Sequence, residues 1–137
     1  SPDGTYLCLH VSYVTAKGVR TAIVVLVRAA DSQPSAYLHG NQIRDVAWSP
    51  ARATVGYTAS EQRRQGALTM FVPVATIVDA ASGEALATLD GRFAGWSPDG
   101  AGYYVARDTG LYFARLGASD LLRVGPVGVP VSATAAP

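Results

Sequence analysis

The segment AGWSPDG, Ala94–Gly100, approaches a nucleophile elbow, with glycine at 95 and serine at 97 but aspartate at 99 where the second glycine belongs. Such an elbow exposes its serine on a sharp turn from strand into helix. Here the surroundings read strand, turn, strand, so Ser97 is expected to shape a turn rather than attack a carbonyl. The two histidines, His10 and His39, stand 29 residues apart with no further His or Cys at ligand spacing, which argues against zinc. Neither has a nearby carboxylate in sequence that would mark it as an acid-base group. Cys8 is the single cysteine, so no intrachain disulfide forms, and inside Leu7-Cys8-Leu9 it reads as a small buried hydrophobe. Gly91, Gly95, Gly100 and Gly102 open no helix, as a phosphate-cradling loop must. No catalytic, cofactor-binding or metal-ligating residue is therefore expected, and no cofactor.

The charged residues leave two candidate contact sets. Most carboxylates fall at turns, where aspartate accepts local backbone hydrogen bonds. Asp45 is the exception, because it precedes Trp48 within an apolar strand, and Arg44 and Arg92 hold comparable places before Trp48 and Trp96. Lining a common channel, these three would bind an anion or a peptide terminus. EQRRQG, Glu61–Gly66, is the most polar segment and reads as a solvated loop. Its Arg63 and Arg64 would serve, in the functional alternative, to meet an acidic partner or lipid phosphates.

The elements that position these residues follow a repeat. Ser1-Pro2, Ser49-Pro50 and Ser97-Pro98 recur every 48 residues. Each is followed by a turn and an apolar strand (residues 5–14, 53–60 and 101–107), a polar loop, and a stronger strand (21–30, 68–81 and 111–117). A weaker strand closes each cycle (36–40, 84–90 and 121–125), and residues 44–50 and 91–98 lead back into the motif. Asp3-Gly4 and Asp99-Gly100 read as type I′ hairpin turns with both central residues at positive φ. The proline ends the preceding strand, and Trp48 and Trp96 are expected to wedge between neighbouring units. No segment sustains a helical period.

A period in this range with strand content marks a β-propeller. WSPDG at Trp96–Gly100, its variant WSPAR at Trp48–Arg52 and the truncated SPDG at Ser1–Gly4 resemble the WD40-like repeat of TolB-type propellers. The same repeat occurs in the propeller domains of prolyl-oligopeptidase-type serine peptidases. The resemblance spans nearly the whole chain. It implies that the strand ending in Trp-Ser-Pro is innermost in each blade and that the next three run outward. Trp48, Ser49, Pro50, Trp96, Ser97, Pro98, Asp99 and Gly100 are then structural repeat residues. Ala51-Arg52, in place of Asp-Gly, implies a looser turn in the second unit.

The expected fold is thus all-β, a partial β-propeller of about three four-stranded antiparallel blades at about 1–43, 44–91 and 92–126, the first lacking its innermost strand. Residues 127–137 read as a Pro/Ala-rich tail. Three blades do not close a ring, so the chain is expected to be a fragment of a larger propeller, or else a half-ring that dimerises, or a unit completed by another chain. Net charge +1 argues against a nucleic-acid partner. The longest apolar run, Ala67–Val78, is shorter than the roughly 18 residues of a spanning helix, so no transmembrane segment is expected. With 49% hydrophobic and 15% charged residues, against about 25% charged in ordinary domains, the chain reads as one buried among protein partners. The expected function is a non-catalytic interaction or scaffold module. The alternatives are the gating propeller of a peptidase and a dimeric ligand-binding ring. The resemblance implies an extracytoplasmic bacterial setting, periplasmic or membrane-associated.

Overall fold

The computed structural model describes residues 1–126; the expected tail lies outside the described residues. Among the described residues there are eleven strands and no helix, and the strands form three antiparallel sheets. The first holds β1 (Tyr6–Val14), β2 (Arg20–Arg28) and β3 (Pro34–Leu38). The second holds β4 (Asn41–Trp48), β5 (Thr54–Gln65), β6 (Leu68–Asp79) and β7 (Ala85–Asp90). The third holds β8 (Arg92–Trp96), β9 (Gly102–Arg107), β10 (Gly110–Arg115) and β11 (Leu121–Gly125). Within each sheet the strands neighbour one another in chain order. β1, β4 and β8 therefore form edges, as do β3, β7 and β11, and the arrangement is open.

Alternation along β5 and β6 explains how the sheets stack. Val55, Tyr57 and Ala59 point to one face and join Val24, Leu26, Ala36 and Leu38 of the first sheet in one core. Ala75 and Ile77 point to the other face and join Phe93, Trp96, Tyr103 and Val105 in a second core. The second sheet is thus covered on both sides, which fits a strand pair dense in β-branched and small residues. Gly56 is dictated by this packing, since a Cβ there would run into the Phe93 ring. The outer sheets have no such cover. Leu7, Leu9, Val11 and Tyr13 on the far face of β1 are between 42% and 50% exposed.

Two sequence expectations change. Glu61–Gln65 is strand, not loop: each residue pairs with one of Leu68–Val72. A two-residue turn with Gly66 at positive φ (65°) joins them, and cross-strand pairing outweighs the polarity of the segment. The Asp-Gly turns are also not type I′. Gly4 and Gly100 have positive φ (74° and 70°), whereas the aspartates before them do not. Ser1 and Ser97 instead accept from the amides of Gly4 (3.1 Å) and Gly100 (2.9 Å). Proline then takes the second position of a four-residue turn, where its fixed negative φ fits, and glycine the fourth.

Candidate functional site

The serine-proline turns are self-contained hydrogen-bond units. Ser97 Oγ donates to Asp99 Oδ1 (2.8 Å) and accepts from the Gly102 amide (3.0 Å), while the Ala101 amide donates to Asp99 Oδ1 (3.0 Å). Ser1, Asp3, Thr5 and Tyr6 repeat the same pattern at 2.9 to 3.0 Å. These hydrogen bonds hold the Asp3 and Asp99 carboxyls below their ordinary value, the backbone amides of Thr5 and Ala101 being the leading cause. In the second copy Ala51 removes the carboxylate, and Ser49 Oγ turns to accept from Ala51 and Arg52. Ser97 is therefore committed to the turn and is 6% exposed.

The two tryptophans reach opposite cores. Trp48 packs against the core between the first and second sheets, and Trp96 lies in the core between the second and third. Trp96 Nε1 donates to Ala47 O across that junction (3.0 Å), and its ring meets Phe93 edge-on.

Beside this junction β4 and β8 line an open cleft of about 480 Å³ that includes Asp45, Val46, Arg92, Phe93 and Ala94. Two irregularities bend β4, with Gln42 and Asp45 at positive φ, and this aims the Asp45 carboxylate at the third sheet. Arg92 Nη2 donates to Asp45 Oδ1 (3.2 Å). Thr58 Oγ1, fully buried, donates to Asp45 Oδ2 (2.9 Å) and accepts from the Phe93 amide (2.8 Å). The opposite charges of Asp45 and Arg92 are thus joined to each other. Arg44 turns away, donating to Gln42 O (3.0 Å) and Ser60 Oγ (3.2 Å). Of the three residues grouped from sequence, the fold brings two together.

No protein-family model, curated protein or solved structure matches the chain.

Arg63 and Arg64 stand on the part of β5 that runs on beyond β4, and they differ in role. Arg63 grips Asp90 at the end of β7 through two bonds (2.7 and 2.8 Å) and touches Glu61 (3.2 Å). Its guanidinium keeps the Asp90 carboxyl below the usual range, and the carboxylates raise Arg63 in turn. Arg64 projects from the opposite face of the strand and makes no ion pair among the described residues. Sequence reasoning missed Thr58 and Asp90 as partners. A threonine inside an alternating strand gives no sign that its hydroxyl will bridge two sheets.

Cys8 is half-buried against the first core, and burial raises its thiol. Burial likewise raises the Tyr57 phenol, which donates to His39 O (3.0 Å). Among the described residues no three His, Cys, Asp or Glu side chains gather where they could hold a metal ion. Among the described residues no helix is long and apolar enough to cross a membrane.

Proposed function

We propose that the three sheets are successive blades of a WD40-like, TolB-type β-propeller, and that the chain works as a non-catalytic interaction module in a larger ring or assembly. The observation that carries this reading is the pattern of cover: the middle sheet is packed on both faces, while each outer sheet leaves an apolar face open. On the first sheet that face holds Leu7, Leu9, Val11 and Tyr13; on the third it holds Leu122, 63% exposed, with Tyr104 and Phe113 beside it. Apolar faces of this kind call for further sheets. Chain-order strands with Trp-Ser-Pro at the end of one edge strand also support the reading, because the family repeat places that strand innermost.

Light scattering on the 137-residue chain tests the proposal. The expected result is association that rises with concentration and that Leu9→Glu and Leu122→Glu each suppress without loss of strand content by circular dichroism. A discrete dimer lost in either variant would point to ring closure by a second copy. A wild-type chain that stays monomeric at high concentration, with both faces bare, removes the basis for the reading.

A further inference from the structure

The two long hairpins extend past the sheets that carry them. β3 pairs with β2 only as far as Val24, so the ribbon from Val11 to Ile23 continues without it. β4 and β7 likewise stop at Ser60 and Val74, and the ribbon from Glu61 to Val72 continues alone. The ribbons rise from the same end of the stack. Arg20, Thr21 and Ala22 share a cleft with Gly40–Ile43, and Asn41 pairs with Ser60, the last row before the second ribbon leaves its sheet.

Their composition sets them apart from the rest of the surface. Among the described residues five large hydrophobics are more than 55% exposed, and four stand on these ribbons: Val14, Val19, Leu68 and Phe71. Lys17 and Arg20 lie among the first pair and Arg64 beside the second, none of them in an ion pair among the described residues. Lys17, Arg20, Arg63 and Arg64 against Glu61 and the Asp90 that Arg63 holds give this end net +2 in a chain of net +1, so the remainder carries net −1.

From this we infer that the paired ribbon tips dock on an anionic bilayer surface. Apolar side chains spread along two separate projections suit a deformable apolar layer better than a rigid protein face. Basic groups set beside those apolar side chains meet lipid phosphates while the apolar groups enter the interface. Charge complementarity thus selects the occupant, and the cationic end is the one that carries the exposed aliphatic and aromatic groups. This inference is independent of the propeller reading, since it rests on the hairpins and not on what covers the outer sheets.

Co-sedimentation of the 137-residue chain with phosphatidylcholine vesicles, with and without phosphatidylglycerol, tests it. Binding is expected only to the anionic vesicles, weakening as salt rises and unaffected by excess inorganic phosphate. Lys17→Gln and Arg64→Gln should each lower partitioning about fivefold, and Leu68→Ser with Phe71→Ser should lower it further. All four positions lie outside the packed cores, so circular dichroism and melting should match wild type. Leu122→Ser, on the third sheet, should bind as wild type does. Four outcomes would each overturn the proposal: no vesicle binding, equal binding to neutral vesicles, insensitivity to the tip substitutions, or an equal loss in Leu122→Ser. Retention by soluble polyglutamate without vesicle binding would also overturn it, in favour of an acidic polypeptide partner.

Discussion

A single hydroxyl organises each serine-proline turn. Ser97 is buried, and its hydroxyl accepts from the Gly102 amide and donates to the Asp99 side chain of its own loop, so Ser97→Ala leaves the Gly102 amide without its partner and should cost about 1–3 kcal/mol. Urea denaturation measures this, and a loss much below that range would mean the Gly102 amide finds water instead. The aspartates in two of these turns, and Asp90 under Arg63, add a pH dependence whose sign is set by their hydrogen bonds. Asp3, Asp90 and Asp99 are all held below the ordinary value of 3.8 in the folded chain. Their stabilising contribution is therefore complete above that value and is lost as pH falls through the lower folded values. Melting temperature should drop below about pH 4, and Asp99→Asn should narrow the gap between the melting temperatures at neutral and acid pH. An unchanged gap would remove Asp99 from the acid transition.

At the scale of elements, the ribbon of β5 and β6 depends on a strut. Arg63 reaches from β5 across β6 to Asp90 at the end of β7, tying a two-stranded projection to the four-stranded body. An isolated hairpin is marginal in water, so Arg63→Ala should speed amide exchange at Glu61–Val72 several-fold while leaving Val55–Ala59 protected. Equal exchange in both segments before and after the change would show that the strut is idle. The same ribbon marks a limit of the sequence. All eleven strands were legible from apolar runs between turn residues, and the 48-residue period paired them into repeats. Glu61–Gln65 was not legible, because its strand character comes from partners at Leu68–Val72 rather than from its own polar side chains. The turn type of Asp99-Gly100 was hidden for a related reason: the dipeptide favours I′ alone, and the proline before it reverses the choice. Arg44, Asp45 and Arg92 could be grouped by position, but the bulges that turn Asp45 toward Arg92 and away from Arg44 leave no mark in residue type.

At the scale of the whole molecule, the described sheets form a row in which the first and third each pack on the second, and the two cores share no residue. Stability should then divide into two junctions, as in other stacked architectures where each unit touches only its neighbours. Leu26 and Val105 are both fully buried, one in each core. Leu26→Ala should cost about 2–5 kcal/mol. Val105→Ala acts by the same loss of buried apolar volume and the cavity it leaves. Because the two sites lie in separate clusters, their effects on stability should add. Native-state hydrogen exchange should separate them further: Leu26→Ala should loosen β1 to β3 while β8 to β10 stay protected, and Val105→Ala should do the reverse. The hydrogen bonds at the junctions favour unequal outcomes. The second and third sheets are joined through Thr58, Asp45, Arg92 and the Trp96 indole, while the hydroxyl of Ser35 donating to Ala80 O (2.8 Å) and the Tyr57 phenol donating to His39 O serve the first junction. The first sheet should accordingly open before the third as urea rises, and simultaneous loss of protection across all three sheets would show a single cooperative unit instead.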